Sequence, residues 1–444
     1  MNSKKSKSPF WGGIGEVAQF LLLAIVALAV VSTGCGEDRT HEYEERTGLD
    51  HWMMDVMREE YLWGDVLKDL TWKDYFAKPD EFMAKITAQA PVDDEWSWCA
   101  IDTLPKDSRQ RGLFNHLDSY GLDLVVMTDP TGETSRQYGR VMTVAEGSPA
   151  ARCGLKRGDF ISTLDGTKMN AAVAKDLVSG KQRRLTVERL TWNAESEALE
   201  WSASETVEMD ASEYVEDKAF PVCKTFTTDA GKVGYLMCNR LTEGAVERDA
   251  SGTEYRDDLT TKMASMAGTE FAAFVLDLRL CNDGTLDMAC RLASYFVGSD
   301  KSGETFAKVI YSERKKALNH DVPFDADAAE NGVKTHHLYV ITSSYTQGAA
   351  EWLIRGIRKA MGDDFVTVVG LGTNGQNVMT AAYPSERLVT LHPVVAYVAD
   401  ADGDYDYADG ITPDVEVDEK SVLYLFPYGD EQEALLQSIF THEE

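Results

Sequence analysis

The chain is short of basic residues: 44 Lys and Arg stand against 74 Asp and Glu over 444 residues, a net charge of −30. Phosphates would be repelled, which argues against nucleic acid and anionic lipid as partners. Its seven cysteines form no CxxC and no Cys/His cluster with zinc spacing, so no metal site is expected. Collagen-like and low-complexity bias are absent as well, and 43% apolar with 10% aromatic residues is the composition of an ordinary globular protein. The length suits two or three domains. The apolar run "FLLLAIVALAVV", residues 20–31, is too short to span a bilayer.

That run does suit the apolar region of a secretory leader, behind a basic start at Lys4, Lys5 and Lys7. "STGC" follows and resembles a bacterial lipobox, with Ser32 where Leu is usual. On this reading residues 1–34 are a lipoprotein signal peptide and Cys35 is the lipid attachment site. Its removal takes away three lysines and Glu16 and leaves the mature chain at −32. Residues 35–44 then form an acidic tether, and the protein is expected in a cell envelope, on the outer membrane of a Gram-negative bacterium. An uncleaved anchor or an unmodified Cys35 is the other reading.

Residues 45–112 read as a small helical cap. Trp52, Met53, Val56 and Met57 share a face at helical spacing, with Gly64 as a stop. Residues 79–89 start a second helix with Pro79 and acids in the first turn. The core expected over residues 213–444 alternates apolar strands with helical stretches, which points to an α/β layered domain. Within it, "PVCKTFTTDAGKVGYLMC" reads as a hairpin around residues 229–232. A two-residue loop at Ala230-Gly231 would set Cys223 opposite Cys238, as a disulfide or as two of six reduced cysteines.

Residues 113–212 are β-rich. "VMTVAEGSPAARCGL" followed by "KRGDFISTLDGTKM" resembles the PDZ domain, including the short helix after Ser148-Pro149 and the corner at Gly158-Asp159. Upstream, Tyr120, Gly121, Leu122, Asp123 and Leu124 stand where a PDZ domain has its carboxylate-binding loop and first strand. The resemblance implies that a peptide C-terminus is captured by inward backbone N–H groups while its backbone extends the sheet.

Taken together, "VGYLMC", "VLDLRLCNDG", "YVITSSYTQGAAEWLI", "VVGLGTNGQNV" and "DGITPDVEV" resemble, in order, the landmarks of the C-terminal processing peptidase (tail-specific protease) family. The resemblance implies a Clp/crotonase-like protease core with a PDZ domain and a helical cap. It also implies a serine nucleophile at a helix N-terminus and a lysine base. Against the family's Ser/Thr-Ala-Ser-Ala-Ser-Glu, this chain reads Thr346-Gln347-Gly348-Ala349-Ala350-Glu351, so Gly348 takes the nucleophile's place. In the base motif, Gly-x-x-Thr-x-Gly-Lys, Gln376 replaces the lysine, and Thr380 lies four residues on where many members orient it. The oxyanion strand carries Asp283 where the family has its first glycine, which adds a carboxylate near the site of a developing oxyanion.

Losing the serine removes the covalent step, and glutamine cannot act as a base. The chain is therefore expected to bind polypeptide segments or C-termini without cleaving them and to need no cofactor. Ser343, Ser344 and Thr346 are alternative nucleophiles for an active peptidase, or they end a strand and cap the next helix. A structural role within an envelope complex is the remaining reading. The acidic stretch 400–410 lacks the Gly and the final Glu of an EF-hand, so it reads as a solvated loop.

Overall fold

The structure, a computed structural model, describes residues 40–101, 118–193, 198–244 and 252–441. Cys35 and residues 1–34 lie outside the described residues.

Helix α1 (Thr40–Glu60) and helix α2 (Pro79–Thr87) build the cap. Met53, Met54 and Met57 of α1 pack with Phe82, Met83 and Ile86 of α2 in one buried cluster. Because α1 begins at Thr40, residues 40–44, expected in the tether, belong to the helix. Gly64 opens a short 3-10 turn instead of simply ending the helix; it is buried, and a Cβ there would lie 2.6 Å from the Arg58 carbonyl oxygen. Strand β1 (Trp98–Ile101) belongs to the cap and follows its two helices.

The second unit is a six-stranded antiparallel sheet in the order β2 (Leu122–Thr128), β3 (Gln137–Val144), β4 (Phe160–Leu164), β5 (Arg183–Glu188) and β6 (Glu205–Met209), with the short strand Thr167–Lys168 paired to β4 off this path. Tyr120, Leu122, Val141, Ile161, Leu185 and Val187 fill its own core. Ser148 caps the short helix Pro149–Arg152 by accepting from the Ala151 N–H at 3.1 Å, with Pro149 at the first helical position as the resemblance implied.

The third unit begins with hairpin β7 (Val222–Thr228) and β8 (Gly231–Met237), then α3 (Glu254–Met266), β9 (Ala273–Asp277) and α4 (Leu286–Val297). Next come β10 (Thr305–Tyr311), β11 (His320–Pro323), β12 (Leu338–Thr342) and α5 (Ala349–Met361). Strands β13 (Val366–Gly370), β14 (Val378–Thr380), β15 (Val389–His392), β16 (Val394–Ala399) and β17 (Val415–Glu416) precede α6 (Ala434–Phe440). The main sheet runs β7-β8-β9-β12-β13-β17 and is parallel apart from the β7–β8 pair.

Strands β9 and β12 are buried at every position, as a parallel strand covered on both faces must be. Leu259, Leu292 and Leu353 bring α3, α4 and α5 into one core cluster, while Leu435, Leu436 and Ile439 bring α6 into another. A second sheet, β11-β10-β16-β14, lies beside it.

The hairpin corrects the cysteine expectation. Gly231 pairs with Thr228, so the two-residue loop is Asp229-Ala230 and Cys223 lies opposite Leu236. The register is displaced by two residues because Gly231, at φ +133, opens β8 instead of sitting in the loop. Cys223 and Cys238 do not face each other, and all six described cysteines are free.

Candidate functional site

The site lies where open α/β sheets place their sites, at the C-terminal ends of adjacent parallel strands. The segment after β9 brings Asn282, Asp283 and Gly284; the turn after β12 brings Gln347 and Gly348 to the start of α5.

Gly348 has φ +56 and ψ −113, a backbone state that glycine adopts without a Cβ penalty. A Cβ built there would lie 2.9 Å from Gln376 Oε1, so a side chain at position 348 would point directly at the side chain of 376. The two positions that the sequence comparison paired thus face each other in space, and the turn that would present a nucleophile is intact around a residue that has none.

Glu351 holds the two positions together. Its Oε2 accepts the N–H groups of Gly348 and Gln376, both at 2.8 Å, and its Oε1 accepts the Gly375 N–H at 2.7 Å and the Thr373 hydroxyl at 2.5 Å. Burial pushes this carboxyl up, while the four donors work against that rise. Trp352 Nε1 donates to the Gln376 carbonyl at 3.0 Å, and Gln376 Nε2 donates to the Val378 carbonyl at 3.2 Å. Gln376 is thus held at its backbone N–H, its backbone carbonyl and its side chain, and a neutral amide occupies the place of a base.

Gly284 is wedged against the nucleophile turn: a Cβ on it would lie 2.6 Å from Leu241 Cβ and 2.7 Å from Ala349 Cβ. Among the described residues, neither the Gly284 nor the Ala349 N–H donates to a backbone acceptor. Two such donors beside the start of α5 can hold a carbonyl oxygen. Asp283 does line this cleft, but its carboxylate is not left loose beside them. Arg240, almost fully buried, donates to it at 2.8 Å, so the carboxylate expected near a developing oxyanion is paired.

The surrounding cleft measures about 460 Å³ and is lined by Asn282, Asp283, Gln347, Gly348, Gln376 and Thr380, among others. Its remaining wall was missed by sequence reasoning. Trp96 and Trp98 reach it from the cap, and Trp98 stacks on His392 with ring centroids 3.9 Å apart and planes 3° from parallel. The pairing of β1 with β15, which sets Trp98 opposite His392, brings them there. The only local sign was the alternation in "EWSWC", one face of a strand.

The alternative nucleophiles lie elsewhere. Ser343 Oγ donates to the Arg279 carbonyl at 2.5 Å and accepts from the Tyr345 N–H at 3.0 Å. Thr346, fully buried, donates to the Leu278 carbonyl at 2.9 Å. Ser343 and Ser344 border a separate cavity shared with β2, beside Leu280 and Tyr428, and not the Gly348 cleft.

The carboxylate-binding loop also departs from expectation. Tyr120 and Leu122 are fully buried in the β2–β6 core, with Tyr120 Oη bonded to the Lys181 carbonyl at 2.5 Å. The Gly121 N–H, expected to face a ligand, donates instead to Ser119 Oγ at 2.9 Å. Gly121 has φ +71, and a Cβ on it would lie 2.2 Å from Ser148 Cβ, so the glycine is required by packing. Asp123 is buried, while Leu124 and Val126 keep partly buried side chains on edge strand β2.

This unit is fastened to the core by charge. The guanidinium groups of Arg157 and Arg279 both lie over the Tyr428 ring, 4.0 and 5.0 Å from its centroid. Both arginines reach Glu419, at 2.8 and 2.7 Å, and both pair with Glu433. Burial alone would raise the Glu419 carboxyl, but Arg279 and Arg157 outweigh it and hold it down to about 2.

Comparison with known proteins agrees with this geometry. The model of peptidase family S41 matches residues 232–417, the model of the S41 N-terminal domain matches 48–98, and a PDZ model matches 140–189. The chain belongs to peptidase family S41. A solved Bacteroides fragilis NCTC 9343 protein assigned to the S41 proteases is 29% identical, with a TM-score of 0.75 over 88% of this chain and 96% of its own. The photosystem II D1 C-terminal processing protease is 18% identical, with a TM-score of 0.47 over 84% of this chain and 93% of its own. No curated protein matches the chain. An S41 protease core, a PDZ domain and an N-terminal helical region are therefore its architecture.

Proposed function

We propose that this S41 family member binds polypeptide segments or C-termini without cleaving them, and that it does so at an envelope membrane to which Cys35 anchors it. One observation supports the first part above all others: positions 348 and 376 face each other as a nucleophile and base would, and they hold a hydrogen atom and a neutral amide. Acyl transfer needs a group that attacks and a group that takes its proton. The N–H groups of Gly284 and Ala349 border the cleft and donate to no backbone acceptor among the described residues, which supports binding of a peptide carbonyl without the chemistry.

The test is incubation of the full chain with an unstructured protein, followed by gel and mass spectrometry, beside labelling with a serine-directed probe. No cleavage and no labelling are expected, while the unstructured protein is retained by the immobilised chain. Cleavage that disappears in His392→Ala would replace this reading with an active peptidase using the histidine of the cleft wall, and so would cleavage lost in Ser343→Ala or Ser344→Ala. For the anchor, Cys35→Ser should abolish incorporation of a labelled fatty acid. Incorporation that persists would defeat that part.

A further inference from the structure

We infer that the Trp96, Trp98 and His392 wall selects what the cleft binds: a peptide segment bearing a large uncharged side chain, aromatic foremost. The inference rests on the peptide-binding reading above and adds the substrate class. Its basis is the composition of the cavity. The half-buried side chains of Trp96, Trp98, Leu286 and Met379 supply apolar surface, and the flat Trp98–His392 stack offers an aromatic edge or face.

Charge selects in the same direction. Among the described residues no lysine or arginine lines the cavity, and the one carboxylate that does, Asp283, is already engaged by Arg240. An entering carboxylate would lose water and find no cation among the described lining residues, and an entering ammonium would find only a carboxylate that Arg240 already holds. The polar groups that do line it, Asn282, Gln347 and Gln376, are neutral amides suited to a peptide backbone. A cavity of about 460 Å³ has room for one large side chain and the backbone on either side of it. Selection is thus assigned to the helical cap, which reaches the cleft through β1.

Fluorescence polarisation with labelled Gly/Ser decapeptides tests this. Each carries one central Phe, Leu, Ala, Asp or Lys and an amidated C-terminus, so that carboxylate capture contributes nothing. The full wild-type chain should bind the Phe and Leu peptides about 10- to 100-fold tighter than the Ala peptide, and the Asp and Lys peptides no better than Ala. Trp98→Ala should flatten the series and Trp98→Phe should keep it. If Trp98→Ala disturbs the fold, Met379→Gln on the core side of the same cavity should weaken the Phe and Leu peptides and leave the other three unchanged. Equal binding of all five peptides to wild type would overturn the selection while leaving peptide binding intact. A preference unchanged in Trp98→Ala and Met379→Gln would overturn the assignment to this wall. No binding of any peptide, with binding of a neutral hexasaccharide instead, would overturn both readings.

Discussion

Gly121 and Gly348 invite the same interpretation and have opposite causes. Each has a positive φ, +71 and +56, and each sits where a peptide was expected. At Gly348 an added Cβ meets only the amide end of Gln376, and the residue opens onto the cleft. At Gly121 it would meet Ser148 Cβ at 2.2 Å, and the N–H is already used by Ser119. One glycine leaves room for a ligand, whereas the other closes a packed turn. A glycine's role is therefore read from what its missing Cβ would touch.

The comparison breaks most visibly on substitution. Gly121→Val should cost more than about 3 kcal/mol, through overpacking against Ser148 and a disallowed φ. Urea unfolding followed by near-ultraviolet dichroism measures this; a loss within 1 kcal/mol would mean that the loop can move aside. Such a variant reports on folding and not on peptide capture, so it is no test of the carboxylate loop.

Acid should next loosen the PDZ unit from the core. Glu419 is held down to about 2, below the usual glutamate value, so its contribution is complete above about pH 4.5 and is lost as pH falls from there through about 2. Up to about 3 kcal/mol is at stake, at about 1.4 kcal/mol for each pH unit of displacement. Glu419→Gln should remove most of that acid dependence between pH 5 and 2, as read from urea midpoints at each pH. An unchanged slope would assign acid sensitivity elsewhere.

Gly348→Ser should cost only about 1–2 kcal/mol, because backbone strain is partly offset by lost freedom in the unfolded chain. Alone it should stay inactive, as should Gln376→Lys. The double variant should give slow cleavage of an unstructured protein, since the two side chains would meet. Adding Asp283→Gly should not help, because it strands buried Arg240. Activity in either single variant would show a different base or nucleophile at work.

The smallest effect expected is that of reductant. Cys223 is opposite Leu236, so dithiothreitol should leave the unfolding midpoint unchanged within about 0.5 kcal/mol. A larger fall would reveal a cross-link between other cysteines.

The sequence by itself determined much of this protein. Periodicity and turn residues marked α2, the strand–helix alternation of the core and the Ser148-Pro149 helix start, because these depend on neighbours a few residues away. The five ordered landmarks placed Gly348 and Gln376, since a motif keeps its spacing after its reactive atoms are gone. Tertiary structure alone decided the rest. Whether residues 348 and 376 meet depends on Glu351 drawing two distant loops together. The β7–β8 register turned on whether Asp229 or Gly231 entered the loop beside Ala230, a difference of a few dihedral angles that shifted every partner by two. Trp98 became part of the cleft only because a strand of the cap paired with β15, almost 300 residues away in the chain, and no local pattern encodes a contact at that separation.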